Sequence, residues 1–413
     1  MGDHNDVDVA ALHQGLVDRL IADGLIHFPE VEAAFRDVPR HLFLPDVPVE
    51  QVYRDEAIVT QRIDGVPVSS SSQPAAMAIM LEQLGLRRGQ RVLEIGAGTG
   101  YNAALMAHIV GEAGEVITMD IDPEIVDAAR ARLATAGFGG VQVVCADGAL
   151  GYPDRAPYDR IILTVGAWDI APAWASQLKP DGRLLLPLWV RTAQKTVAFE
   201  RADGHLESVS VTDCSFMRLR GAFAGPEAFV AFGPDNGLIL SADDRDQVDP
   251  DAIYALLNGP RRDVATGVEV RSLEVWRSLG LWLALHEPGF CGLSVEDDIA
   301  QALDVPFVFG RSGGGRSTFG VLGDGALSLL ARPDDPRDAD GEAQPYPLHV
   351  RAYGGDDALA HRLVEHIAAW DAAGRPTSSG LQVRAYPRGL DYAPSAGEVV
   401  VEKRWTRLVF SWP

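Results

Sequence analysis

Cysteine is scarce: Cys145, Cys214 and Cys291 are the three among 413 residues, and they stand far apart. An odd, scattered set builds no disulfide framework and has no metal-ligand spacing, so a reducing, cytoplasmic setting without a structural metal is expected. Positive charge is also short. Thirty-six Lys and Arg against 58 Asp and Glu leave a net charge of −22, which repels polyanions and argues against a nucleic-acid partner. No apolar run reaches the length of a membrane span, and the opening MGDHNDVDVAALHQGLVDRL lacks the basic and then apolar order of a secretory signal. No internal repeat is visible.

What is present is globular material, 47% hydrophobic, enough for one large core or two moderate ones. Leu12, Leu16, Val17 and Leu20, then Val31, Ala34 and Phe35, recur at helical spacing and predict an N-terminal helical cap. From Arg91 onward, strand-like runs (RVLEIG, EVITMD, VQVVCAD, YDRIILTVG, RLLLPLWV) alternate with helical ones, which predicts a parallel sheet covered on both faces. After Gly225 the texture turns rich in Gly, Pro and Asp, with strands such as GLQVRAY and a helical stretch from Asp357 to Ala373. The expected division is an α/β domain over 1–225, whose residues 1–73 form the helical cap and substrate segment, and a separate α+β domain over 226–413. Gly313 to Gly315 reads as a loop, the acidic runs from Ser241 to Ala252 and from Ala331 to Ala343 as solvated loops, and Cys291 as a core thiol.

LEIGAGTGYNAALMA sets Gly96, Gly98 and Gly100 between a buried strand and a helix, where backbone without Cβ atoms turns sharply and lets a nucleotide-bearing ligand lie close. The G-x-G-x-G spacing departs from the G-x-G-x-x-G dinucleotide fingerprint and weakens a nicotinamide reading. Asp120 ends the next strand, where an acid accepts from ribose hydroxyls, and Asp147 with Gly148 ends the third. Asp122, ahead of Pro123, reads as a helix start.

VSSSSQPAAMAIMLEQLGL, from Val68 to Leu86, poses a different question. Pro74 suits a first helical position and Met77, Met80, Leu81 and Leu84 form an apolar stripe, so Ser72 lies at the helix start. Position alone leaves two roles open for it, helix cap or contact to an anionic substrate.

These segments resemble class I S-adenosylmethionine-dependent methyltransferases and, more narrowly, protein-L-isoaspartate O-methyltransferases. PRHLF, YRDEA, SSQP, the glycine loop, APYDRIILTVGA, QLKPDGRLLLPL and FMRLRG are similar to that family's segments in its order, over about Val31 to Gly221. The resemblance implies a Rossmann-like methyltransferase fold that binds S-adenosyl-L-methionine and releases S-adenosyl-L-homocysteine. It implies Glu94, Gly96, Ala97, Gly98, Thr99, Gly100, Asp120, Ile121, Asp147 and Gly148 as cofactor contacts. The family's catalytic serine lies in a Thr-Ile-Ser segment that aligns with Ser70-Ser71-Ser72, so the resemblance assigns catalysis to Ser72, with Ser70, Ser71, Gln73, Trp168 and Asp169 facing the substrate. A packed tryptophan with a capping aspartate is the alternative for the last two, and His41 is either a lid residue or a structural histidine.

The layout, with its C-terminal extension, its SSSSQP and its GAWDIAPAW, also resembles actinobacterial relatives associated with ribosomally made peptides of the lanthipeptide, lasso and graspetide pathways. That implies a peptide substrate, a modified precursor whose aspartyl carboxylate is methylated and collapses to aspartimide or isoaspartate, recruited by residues 226–413. General isoaspartate repair is the alternative within the class, and an inactive nucleotide-binding scaffold the alternative outside it.

Overall fold

A computed structural model describes residues 8–63, 66–226, 228–243, 246, 248–311, 315–333, 344–355, 357–390 and 392–413. Gly313 and Gly314 of the expected glycine loop, residues 334–343 of one acidic run and 244, 245 and 247 of the other lie outside the described residues.

The cap forms as its periodicity requires. Helices α1 (Val9–Ala22) and α2 (Pro29–Asp37) bury Leu16, Val17 and Leu20, and Val31, Ala34 and Phe35, and α3 (Val49–Val52) follows. A two-stranded antiparallel hairpin, β1 (Ile58–Ile63) and β2 (Val66–Ser71), leads into α4 (Pro74–Leu84). Met77, Met80, Leu81 and Leu84 on α4 are each at most 4% exposed, and burial of side chains this size stabilises by about 1.5–3 kcal/mol each.

The α/β unit then runs β3 (Arg91–Ile95), α5 (Tyr101–Val110), β4 (Glu115–Asp120), α6 (Pro123–Thr135), β5 (Gln142–Cys145), β6 (Tyr158–Leu163), α7 (Pro172–Gln177), β7 (Leu178–Val190), β8 (Ala193–Ala202) and β9 (His205–Asp213). Strands β5-β4-β3-β6-β7 pair in parallel, and β8 and β9 continue antiparallel. Adjacent residues feed opposite cores: Val92, Ile162 and Leu185 face the cap side, whereas Leu93, Ile161 and Leu184 face the other. That two-sided burial is why these strands read as unbroken apolar runs. The chain leaves β3 toward β4 on one side and β6 lies on the other, so the crevice at the carboxyl end of β3 is the topological switch point.

The C-terminal part builds a second, antiparallel sheet in the order β10-β11-β13-β15-β16-β17-β12, with β14 against β15. Its strands are β10 (Ala228–Phe232), β11 (Leu238–Ala242), β12 (Arg261–Val270), β13 (Phe290–Val295), β14 (Phe309–Arg311), β15 (Gly315–Gly323), β16 (Ala326–Ala331) and β17 (Tyr346–Tyr353). Helices include α8 (Pro250–Leu257), α9 (Ser272–Glu274), α10 (Gly280–His286), α11 (Asp297–Leu303) and α12 (Ala358–Ala372), the last being the helix expected there. Cys291 is a fully buried core thiol on β13.

The chain does not divide cleanly at 225/226. Strands β18 (Gln382–Pro387), β19 (Val399–Glu402) and β20 (Thr406–Ser411) return to the first sheet and extend it as β19-β20-β18-β9, with Arg384 opposite Glu207 and Ala385 opposite Leu206. Val383, Leu408 and Phe410 join the core of Leu93 and Trp174. Pairing across more than 170 residues leaves no local mark in sequence, which is why a simple boundary looked sufficient. Among the described residues, no helix is long and apolar enough to cross a membrane.

Candidate active site

The three glycines adopt backbone that other residues resist, with φ of 107° at Gly96, 50° at Gly98 and 86° at Gly100. Their surroundings differ. A Cβ on Gly96 would stand 2.6 Å from Thr164 Oγ1 and one on Gly100 3.1 Å from Leu133, so these two permit close packing. On Gly98 it would stand 3.4 Å from the carbonyl oxygen of Ser70, so the loop and the serine strand lie side by side. Ala97 and Thr99 turn inward and are buried. Gly100 occupies the cap position of α5 with no side chain capping it, which keeps the positive end of that helix at the loop.

Three acids lie where the strands end, in different environments. Asp120 accepts from the amides of Gly98 (3.4 Å) and Asp122 (3.3 Å), and burial raises its carboxyl above the usual range. The Arg220 guanidinium stands 3.8 Å from Asp120 and 3.9 Å from Asp122. Asp122 caps α6 as expected, accepting from Glu124 N at 3.0 Å. Asp147 accepts from Ala149 N (2.9 Å) and from Ala222 N (2.7 Å), which ties the third strand end to the segment carrying Arg220. A Cβ on Gly148 would collide with Ile95 at 2.4 Å.

Glu94 requires a correction, because it does not line the crevice. It is 0% exposed, with Asn102 Nδ2 at 2.7 Å on one oxygen and Thr118 Oγ1 at 2.6 Å on the other, and burial pushes its carboxyl up to about 7. It braces β3, β4 and α5 from beneath.

A cleft of about 570 Å³ opens beside Asp120, between the β1–β2 hairpin at 61–63, the exposed face of Ile121, the start of α6 and Arg220. A side-chain-free loop, an acid at ribose position and an apolar face beside it fit a nucleoside-bearing group such as S-adenosylmethionine.

The serine run is strand rather than turn. Ser69, Ser70 and Ser71 belong to β2. Side chains alternate: Ser69 and Ser71 are 7% and 3% exposed, whereas Ser70 and Ser72 are half-buried. Ser69 accepts from Thr60 Oγ1 (3.1 Å) and Ser71 from Arg40 Nη2 (3.3 Å), so Ser71 faces the interior and not a substrate pocket.

Ser72 caps nothing. Gln73 holds the cap position of α4 with no capping side chain, and Asp55 of YRDEA instead accepts from Ala75 N (2.8 Å) and Gln73 Nε2 (2.7 Å). The Gln73 amide is thereby engaged with Asp55. The Ser72 hydroxyl has no hydrogen-bond partner among the described residues.

Of the two readings open for Trp168 and Asp169, the structure places them in the packed one. Trp168 donates to the Phe223 carbonyl (3.0 Å) and packs on Phe223 and Trp405. Asp169, 0% exposed, accepts from Ile170 N (2.7 Å), Trp405 N (2.7 Å) and Thr406 Oγ1 (2.5 Å). Asp169 pins the loop after β6 to the start of β20, through partners 236 and 237 residues away, and Trp168 stacks on the same segment at Trp405. His41 is structural, bonded through Nδ1 to the Tyr53 hydroxyl at 2.7 Å.

Four residues the sequence reading missed complete the site: Arg40, Asp55, Thr164 and Arg220. Thr164 donates to Gly96 O at 2.7 Å and joins β6 to the loop. All four lie inside segments already noticed without being singled out: Arg40 in PRHLF, Asp55 in YRDEA, Thr164 in APYDRIILTVGA and Arg220 in FMRLRG.

A family model described as protein-L-isoaspartate(D-aspartate) O-methyltransferase matches residues 11–223. The chain is 39% identical over 221 residues to the protein-L-isoaspartate O-methyltransferase of Hyperthermus butylicus, covering 51% of this chain and 90% of that protein. With the Methanopyrus kandleri protein of the same name it is 39% identical over 217 residues, covering 52% of this chain and 94% of that one. A solved structure titled protein-L-isoaspartate O-methyltransferase aligns at 25% identity and a TM-score of 0.50, covering 90% of this chain and 96% of its own. That alignment extends well past residue 223.

Proposed function

The chain belongs to the protein-L-isoaspartate(D-aspartate) O-methyltransferase family, and from that premise we propose that it methylates an isoaspartyl carboxylate of a peptide or protein, with Ser72 holding the acceptor. It is an S-adenosylmethionine-dependent carboxyl O-methyltransferase by family. The observation that supports the reading is the close approach of β2 to the glycine loop at Ser70 and Gly98, two residues before Ser72, whose hydroxyl has no hydrogen-bond partner among the described residues.

S-adenosylmethionine supplies a methyl group on a sulfonium, the electrophile of an in-line displacement. The acceptor carboxylate is already ionised at neutral pH, so no residue has to remove a proton. What the chain contributes is position and a dry setting. The Ser72 hydroxyl donates to one carboxylate oxygen and leaves the other free to attack. Asp120 and the exposed face of Ile121 hold the nucleoside end, with Asp147 steadying the wall that carries Arg220. Glu94, beneath the loop, keeps Asn102 and Thr118 in register.

The narrower reading, methylation of an aspartyl side chain in a cytoplasmic ribosomally made precursor peptide recruited by residues 226–413, rests on SSSSQP and the C-terminal extension. The extension supports it less than it first did, since the solved relative spans most of this chain. Incubation with isoaspartyl peptides, their aspartyl counterparts and a precursor peptide, read as methanol released from the ester, separates the two. Turnover of isoaspartyl peptides alone is expected. Binding of S-adenosylhomocysteine without turnover of any acceptor would overturn both.

A further inference from the structure

Arg40, in PRHLF, is 0% exposed, yet among the described residues no carboxylate forms an ion pair with it. Its guanidinium is shared between two separate stretches of chain, 52–56 and 71–72. Nη1 donates to the carbonyls of Val52 (2.8 Å) and Arg54 (3.3 Å), and Nη2 to those of Glu56 (3.2 Å) and Ser72 (3.0 Å) and to the Ser71 hydroxyl (3.3 Å). Burial of an ion costs heavily unless each donor is used, and here Nε alone lacks a partner. Desolvation lowers its pKa, but a guanidinium remains charged under any physiological condition.

The acceptors are informative. One set closes the turn from Val52 to Glu56, which carries Asp55, the residue that caps α4 from outside. The other set is the end of β2, where Ser72 leaves the strand. Arg40 therefore grips both sides of the short span between strand and helix, and the alternation of β2 turns the Ser71 hydroxyl back onto it while Ser72 turns outward. A lysine has a single nitrogen and cannot span these acceptors, whereas the planar fork can.

We infer that Arg40 is a positioning residue for methyl transfer: by fixing the Ser72 carbonyl and the Ser71 side chain it aims the Ser72 hydroxyl at the acceptor carboxylate. The inference rests on the reading of Ser72 as the acceptor contact.

Its test compares Arg40→Lys, Arg40→Ala and Ser72→Ala in the full chain, with melting temperature, S-adenosylhomocysteine affinity and turnover of an isoaspartyl peptide measured for each. Arg40→Lys should lower kcat/KM for the peptide by about tenfold or more while cofactor affinity stays within about twofold. Sub-denaturing guanidinium should restore part of the turnover of Arg40→Ala and none of Ser72→Ala. Unchanged turnover in Arg40→Lys would overturn the inference, and so would a joint fall of melting temperature, cofactor affinity and turnover that guanidinium does not relieve. If Arg40→Ala does not fold, Arg40→Lys carries the comparison alone. Wild-type turnover in Ser72→Ala would instead sink the reading of the hydroxyl and leave Arg40 as an anchor of the segment's backbone, so the two failures are distinguishable.

Discussion

The carbonyl oxygen of Ser70 lies 3.4 Å from the place where a side chain on Gly98 would begin, so the serine strand and the glycine loop lie against each other. Gly96, two residues earlier, faces Thr164 at 2.6 Å and belongs to the packing beneath. Alanine should separate these roles. Gly98→Ala is expected to cost about 1–2 kcal/mol for its left-handed backbone and to weaken S-adenosylhomocysteine binding beyond that. Gly96→Ala should lose more stability, since a collision adds to its strain. Calorimetric titration and thermal melts of both variants check the order.

Ser72→Ala is expected to lower methyl transfer by about tenfold to a hundredfold, the range of one lost hydrogen bond to a charged group, with the melting temperature nearly unchanged because Ser72 caps nothing. Asp120→Asn should do the reverse, raising the cofactor dissociation constant far more than it slows the saturated rate. Ser71→Ala, which loses a contact to Arg40 and none to substrate, should fall between in stability. Steady-state kinetics with both substrates varied distinguish the three.

Glu94 makes stability depend on pH. Its folded carboxyl, near 7, lies above the unfolded value of 4.5, so between those values the folded chain binds more protons than the unfolded one. The stabilisation is whole below pH 4.5 and is lost as pH rises through about 7, by an amount on the order of 3 kcal/mol at 1.36 kcal/mol per unit. Glu94→Gln keeps the shape and removes the titration. Urea unfolding of both proteins across this window should show wild type declining relative to the variant as pH rises, and parallel curves would refute the assignment.

Asp169→Ala leaves Trp405 N and Thr406 Oγ1 without their acceptor in a buried place. Loss of such a buried carboxylate should cost about 2–4 kcal/mol. Amide exchange should rise first at Thr406–Ser411, the strand it clamps, and methyl transfer should fall as the loop after β6 loosens. Faster exchange spread evenly over the chain would instead mean that the hairpin is not a separate unit.

The α/β unit was legible because each of its signals is local. Two-sided burial makes unbroken apolar runs, glycine marks backbone that other residues resist, and an acid at a strand end needs only the strand before it. Asp120, Asp147 and the loop from Gly96 to Gly100 could be placed from those signals alone, and so could the apolar faces of α1, α2 and α4. What sequence could not determine is direction at a distance. Alternation put Ser71 behind β2 and left Ser72 half-buried, but the register that decides it comes from pairing with β1 and from Arg40 reaching back across the fold. Glu94 sits at a strand end like the other acids, and only the packing of Asn102 and Thr118 seals it inside. For Trp168 and Asp169 the sequence left cleft and packing both open, and it is the tertiary return of the C-terminal segment around Trp405 and Thr406 that decides for packing. Local backbone preference and burial wrote the sheet into the sequence, while side-chain partners contributed by remote segments decided which of its polar groups face the chemistry.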